Sequence, residues 1–310
     1  MAFTTTSNFA GKAAGFYISA ALKQANSLDY LTMIENIKYK SNIQRMAGSG
    51  LVADATCDFT DAGTLALTEK VLEPKNLQIN LDLCKSTLLD SWEALQMRAG
   101  AGAPPPVSFD DYVISYMGEI IAQATEESIW AGTAVAGKFN GFLGAVTGLL
   151  LPGVDGTVNQ DAASGAYTAA NIIANLQSLT ADMAANISAV LRKDDLHIYM
   201  SPKTYALYVS AVSTLGYVNA YNMNGDYVPV FEGYKIAVCP GMNDNQMVAA
   251  QKSNLFWGTD LVSDFGVDGT GPRITIMDMA ALDGSDNLRC VTRYSGAVQT
   301  GVGADIVRQS

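Results

Sequence analysis

One stretch limits what this chain can fold into: Ser108–Ala131, which follows Pro104-Pro105-Pro106 and precedes a glycine-rich run. Ser108 is a strong N-cap, and Asp110 and Asp111 put negative charge in the first turn, where the helix dipole favours it. Phe109, Val113, Tyr116, Ile120 and Ala124 recur at helical spacing, and Tyr112, Met117, Ile121 and Trp130 widen the apolar face. The spacing predicts a single helix of roughly 35 Å. A helix of that length with so broad an apolar stripe has to be central to whatever core the chain builds.

The rest of the chain is apolar for a soluble monomer. Of its 310 residues 49% are hydrophobic and 16% charged, with a mean hydropathy of +0.13. That length suffices for about two domains, and the composition implies that much surface is buried against other subunits. A net charge of −11 with 19 Lys and Arg argues against binding nucleic acid by neutralising phosphates. The most apolar window, Phe142 to Val154, is too short to span a bilayer and is broken by Gly144, Gly148, Pro152 and Gly153. Met1 to Lys12 lacks the basic-then-apolar order of a secretory signal. Cys57, Cys84, Cys239 and Cys290 form no C-x-x-C pair and read as buried reduced thiols.

In chain order, residues 1–44 hold short helical patterns, Phe16 to Gln24 and Leu31 to Ile37, with too little apolar surface for a core of their own. They read as an arm lying on something else. From Met46 to Leu72 the composition is Gly, Ala, Thr and Asp with short alternating pieces, which predicts an extended two-stranded excursion. Such a hairpin is marginal alone and needs a neighbour to pack on. Leu77, Ile79, Leu81 and Leu83 alternate with Gln78, Asn80, Asp82 and Cys84 as a strand. Ser86 to Met97, with Trp92, reads as a short helix before the long one, and Gly137 to Gly144 as a turn region after it.

Thr168 is expected to cap a second long helix reaching about Lys193, with Ile172, Leu176, Leu179, Met183, Ile187 and Val190 on its apolar face. Leu196 to Met200 is a predicted strand, and Ser201-Pro202 starts a third helix to about Val212. Gly216 to Tyr227 is an expected exposed loop. Strands follow at Tyr234 to Val238, Gln246 to Ala250, Ile274 to Met279 and Leu288 to Val298. The last two are joined by the turn Asp283-Gly284-Ser285-Asp286-Asn287. This order of mixed helices and strands gives an α+β fold.

Motifs that carry chemistry are missing. The single histidine, His197, sits in an alternating stretch and reads as a strand residue with a satisfied ring. Gly48-Ser49-Gly50-Leu51-Val52-Ala53 matches G-x-G-x-x-A but follows no buried strand, so it reads as a flexible loop. Asp264, Asp268 and Asp283 to Asp286 lack calcium-loop spacing and read as solvated turns. No catalytic, cofactor-binding or metal-ligating residue is assigned, and no cofactor or membrane partner is expected.

The order of elements resembles a known family, the major capsid proteins of tailed double-stranded-DNA bacteriophages. Thr68-Glu69-Lys70-Val71-Leu72-Glu73-Pro74-Lys75, the alternating strand and Trp92 resemble the exit from that family's E-loop into its P-domain. Ser108 to Ala131 with Phe139-Asn140-Gly141-Phe142-Leu143-Gly144 resembles its spine helix and the turn beyond. Met200-Ser201-Pro202-Lys203-Thr204-Tyr205 resembles a strand–Pro–helix step of the A-domain. Gly233 to Val238, Asn254 to Thr259, Arg293 to Val298 and Asp305 to Val307 resemble the return to the P-domain.

The resemblance implies an N-terminal arm (1–44), an E-loop (45–74), a first P-domain part with the spine helix (75–146), an A-domain (147–257) and a second P-domain part (258–310). It also implies a subunit that self-assembles into hexamers and pentamers, with arm and E-loop on neighbouring subunits. The icosahedral head would be assembled in the host cytoplasm and become part of the virion. It would enclose DNA without sequence-specific binding, with scaffolding, portal and decoration proteins as possible partners. Because the arm begins at Met1, any scaffold is expected to be a separate protein. Some family members weld subunits by a Lys–Asn isopeptide bond assisted by a Glu. Lys70 and Asn287 fall near the matching places, but Tyr294 stands about where the Glu would be, so no cross-link is expected. The alternatives are a cellular nanocompartment shell of the same fold and a soluble α+β enzyme or binding protein.

Overall fold

The computed structural model describes residues 26–55, 57, 63–84, 109–162, 165–214, 229–260, 275–279, 284–285 and 287–310. Their strands are β1 (Thr32–Ile34), β2 (Ser41–Ser49), β3 (Thr64–Leu72) and β4 (Lys75–Cys84), followed by the helix α1 (Phe109–Ala131). Then come β5 (Asn159–Asp161), α2 (Ile172–Asn186), β6 (Leu196–Met200), α3 (Pro202–Thr214), β7 (Val230–Phe231), β8 (Tyr234–Val238), β9 (Met247–Gln251) and β10 (Leu255–Gly258). The chain ends with β11 (Thr275–Asp278), β12 (Asn287–Thr300) and β13 (Val307–Gln309). The expected α+β class stands. The predicted helices over Phe16 to Gln24 and Ser86 to Met97, the Ser108 cap and the Gly216 to Tyr227 loop lie outside the described residues.

The described residues divide into two units. The smaller comes from 78–122 and 263–294. Here β11 and β12 form an antiparallel hairpin with Met277 opposite Arg289 and Thr275 opposite Val291, and β4 pairs β12. Met117 and Cys290 pack with Ile79, Leu81 and Leu83, the apolar row that the alternation in β4 predicted. Gln78, Asn80, Asp82 and Cys84 are exposed on the opposite face.

The larger unit is built on a six-stranded sheet in the order β5-β13-β9-β6-β8-β7. The chain passes from β6 through α3 to the parallel strand β8, which requires a crossover that a helix supplies. Ile172, Leu176, Leu179 and Met183 of α2 pack with Ile198, Met200, Ile236, Ala249 and Val307 in its main core. Every residue of β6 and β9 is buried. Ser201 caps α3 as expected, its Oγ accepting the Thr204 amide at 3.2 Å. In the same unit β1 runs parallel to β10, which pairs antiparallel with the end of β12.

The end of α1 explains the glycine-rich run after it. The carbonyls of Ile129, Trp130 and Gly132 accept the amides of Phe142, Leu143 and Gly141 at 2.8, 2.7 and 2.9 Å, so the returning chain satisfies groups the helix leaves open. The backbones approach so closely that a Cβ on Gly132 would overlap the carbonyls of Ser128 and Phe139.

Four expectations are corrected. The helical pattern at Leu31 to Ile37 is instead the strand β1, preceded by a 3₁₀ turn, Asn26–Tyr30. Leu31 and Ile37 are buried as the pattern required, but pairing with β10 supplies the backbone bonds. The second helix starts at Ile172 with Asn171, not Thr168, at its N-cap, and it stops at Asn186 rather than Lys193. Ile187 leaves helical geometry at φ −118° and ψ 34°, a 3₁₀ turn follows over Ser188–Val190, and Arg192 has φ +62°. Ile187 and Val190 remain buried, so the apolar period outlasts the helix that suggested it. The G-x-G-x-x-A segment is not all loop, since Gly48 and Ser49 close β2. Cys239 and Cys290 are buried free thiols, but Cys57 and Cys84 are exposed.

Candidate assembly surface

β2 and β3 form a hairpin of antiparallel pairs running from Ser41↔Leu72 to Ser49↔Thr64. Cross-strand partners share a face, so Asn42, Gln44, Met46 and Gly48 lie with Val71, Glu69, Leu67 and Leu65. Ile43, Arg45 and Ala47 lie with Lys70, Thr68 and Ala66 on the other face. The first face is apolar and acidic, the second polar and basic. In the single chain Met46, Leu65 and Leu67 are 66, 61 and 56% exposed. Leu51 and Val52, just beyond β2, are exposed too. This is the apolar excursion that the sequence left without a local partner.

The root of the hairpin is held firmly. Leu72 is buried against Ile37 and Ala297. The Lys70 ammonium contacts Asp155 Oδ2 at 2.7 Å and donates to Thr300 Oγ1 at 2.9 Å. Burial alone would raise the Asp155 carboxyl, but hydrogen bonds from Lys70 and Thr157 outweigh it and hold it below its usual range. Lys75 donates to the carbonyls of Ala134, Val135 and Lys138 at 3.0, 2.9 and 2.9 Å. Gln299 Nε2 donates to Val71 O at 2.8 Å. The hairpin is thus anchored at one end and uncovered along its length.

A second fixed point is the Asn26–Tyr30 turn. Glu126 of α1 is fully buried. Its carboxylate accepts the Ser27 amide at 3.1 Å, the Ser27 hydroxyl at 2.5 Å and the Gly241 amide at 3.0 Å. Trp130 Nε1 donates to Ser27 Oγ at 2.6 Å. Tyr199 Oη donates to Tyr30 O at 2.9 Å, and Lys252 Nζ to Asp29 O at 2.7 Å. Trp130 stands on the apolar face that the spacing predicts, whereas nothing local in the sequence distinguishes Glu126 from its neighbour Glu127.

No protein-family model and no curated protein matches this sequence. Solved structures do. The capsid of an empty GTA particle aligns at a TM-score of 0.64 with 13% identity, over 99% of this chain and 94% of that one. The capsid of Myoviridae Phage XM1 aligns at 0.61 with 9% identity, over 99% of this chain and 98% of that one. Mycobacterium phage Che8 aligns at 0.59 with 9% identity, over 100% and 98%. This chain has the tailed-phage major capsid fold.

Of the chemical candidates, Asp264, Asp268, Asp283 and Asp286 lie outside the described residues. His197 Nδ1 donates to Asp195 O at 2.8 Å, and its ring lies 5.5 Å from that of Tyr30 and 6.1 Å from that of Tyr199. Burial holds its pKa below the ordinary value; the hydrogen bond to Asp195 opposes this, and the nearby Lys235 and Lys252 charges add to it. No group of three or more potential metal ligands occurs among the described residues. No described helix is long and apolar enough to cross a membrane. Of the residues weighed for a cross-link, Lys70 is engaged with Asp155 and Thr300, and Tyr294 is buried.

Proposed function

We propose that this chain is the structural subunit of an icosahedral phage head, assembling with copies of itself into hexamers and pentamers around packaged double-stranded DNA. The observation that carries the reading is the β2–β3 hairpin, a rooted element whose Met46, Leu65 and Leu67 no described residue covers. An exposed apolar row on an isolated hairpin is a surface for association. The fold agrees with that role over nearly the whole chain, and the net charge of −11 suits enclosing DNA without gripping it.

In this reading 1–44 is the arm, 45–74 the E-loop, 75–146 and 258–310 the P-domain, and 147–257 the A-domain, with β13 of the last segment inserted between β5 and β9 of the A-domain sheet. Arm and E-loop lie on neighbouring subunits, no residue is catalytic, and no cofactor is needed. The particle is built in the host cytoplasm and becomes the virion shell, with scaffolding, portal and decoration proteins as its partners.

The test is negative-stain electron microscopy with light scattering on the chain expressed alone and on Leu67→Asp. Closed shells or sheets of hexameric units are expected from the unaltered chain, and a folded, non-assembling subunit from the variant. A monodisperse dimer or tetramer at every concentration, also with a co-expressed scaffold, would overturn the reading.

A further inference from the structure

In the smaller unit, one face of the β4–β12 pair is covered by Met117 of α1 while the other carries a groove of about 390 Å³. The groove is lined by Asn80 and Asp82 of β4, the Leu81 between them, and Arg289, Val291 and Arg293 of β12. Arg289 Nε lies 3.6 Å from Asp82 Oδ2, so its charge is already answered. Arg293 is exposed and makes no ion pair among the described residues. The groove therefore presents one unanswered positive charge beside a valine and a neutralised arginine.

The apolar face of the hairpin presents the complement. Leu65, Leu67 and Glu69 alternate along β3 with the same period of two as Arg289, Val291 and Arg293 along β12. Each row spans about 13 Å at the rise of a strand. The Glu69 carboxylate is already oriented, accepting from Asn42 Nδ2 at 3.2 Å and from Gln44 Nε2 at 2.9 Å, which lowers the ordering cost of a further contact.

We infer that the groove is the seat for the β3 face of a second copy's hairpin, with Glu69 on Arg293, Leu67 on Val291 and Leu65 along the apolar stem of Arg289. This rests on the reading that one copy's hairpin docks on another. A carboxylate fits better than a nucleic-acid phosphate. Asp82 stands in the groove, only one cation in it is unanswered, and phosphate binding draws on clusters of free Lys and Arg. The pair adds register and partner choice to a contact whose area is apolar.

The experiment compares shells formed by the unaltered chain, Arg293→Glu, Glu69→Arg and the double exchange, with subunit folding followed by thermal melting. Each single reversal places like charges in contact and lowers shell yield about tenfold or more. The double exchange restores it. Arg293→Gln, which keeps the bulk of the side chain, gives a few-fold loss and serves if Arg293→Glu does not fold. Shells from Arg293→Glu at the unaltered yield overturn the inference, whether or not their DNA content falls. Loss in both single variants without rescue in the double exchange removes Glu69 as the occupant and overturns it too. If the unaltered chain forms no shells either alone or with a co-expressed scaffold, the assembly reading itself fails and this inference with it.

Discussion

β6 and β9 are buried at every position, whereas most residues of β2 and β3 are exposed. Both pairs are antiparallel with regular register. Hydrogen bonding therefore does not separate them; side-chain company does. The sheet strands lie between the helices' apolar faces and one another, whereas beyond its root the hairpin has, among the described residues, only its own two strands. A two-stranded ribbon is weak in water unless something covers it. The sheet region thus holds the stability of the subunit, and the hairpin holds surface reserved for another chain.

The sharpest way to break that comparison is to damage each region and read both folding and assembly. Leu176→Ala, at a fully buried site in the sheet core, should cost about 2–5 kcal/mol in urea unfolding. Leu67→Asp should change subunit stability by less than about 0.5 kcal/mol. Shell formation should respond the other way round, with Leu67→Asp abolishing it at unchanged subunit stability. A large loss of subunit stability from Leu67→Asp would mean that the hairpin is part of the monomer's core.

A smaller contrast uses two glutamates. Glu126→Ala leaves the Ser27 and Gly241 amides without their acceptor in a dry site, for an expected loss of about 3 kcal/mol in urea unfolding. Glu69→Ala exposes the Asn42 and Gln44 amides to water and should cost less than about 0.5 kcal/mol. Equal losses would mean that burial does not govern these carboxylates.

Acidification gives the smallest effect. The folded pKa of His197 is depressed, so the unfolded chain takes up its proton first. Stability should therefore fall as pH drops below the unfolded value of about 6.5, levelling off once the folded ring also protonates. His197→Gln should remove that slope in thermal melts between pH 7 and 5. At the hairpin root Asp155 is also depressed, so its contribution is complete above the unfolded carboxylate value of about 3.9 and is lost only as pH falls through the lower folded value. Limited proteolysis of the hairpin should accordingly stay unchanged from pH 7 to 5. Earlier cleavage on acidification would show that the Lys70–Asp155 pair does not hold the root.

Much of the fold was legible. The 23-residue helix α1 and the strand β4 were written in their periodicity, and β4 keeps its apolar row, Ile79, Leu81 and Leu83, against Met117. In α1 Ile120, Ile121 and Ala124 are only half-buried while Thr125, Glu126 and Ser128 are buried, which the spacing did not foretell. The hairpin was recognisable from apolar pieces with nothing nearby to pack on. Other features were not legible for physical reasons. Leu31, Ile34 and Ile37 have helical spacing, yet a three-residue strand results because the backbone of β10 is there to pair with. The α2 pattern ran on past Asn186 because a 3₁₀ turn can keep facing the same core.

The sequence alone determined the long helix, the alternating strands, the α+β order, the unpartnered hairpin and the lack of any catalytic or metal-binding pattern. These depend on residues close together in the chain, where local geometry maps directly onto spacing. The tertiary structure decided which polar groups are buried and what they hold. Glu126 meets Ser27 and Gly241 across 99 and 115 residues of chain, and Lys70 meets Thr300 across 230. It also decided that Arg293 stands beside Val291 and Asn80 in one groove, because β4 and β12 are strands that only folding places side by side.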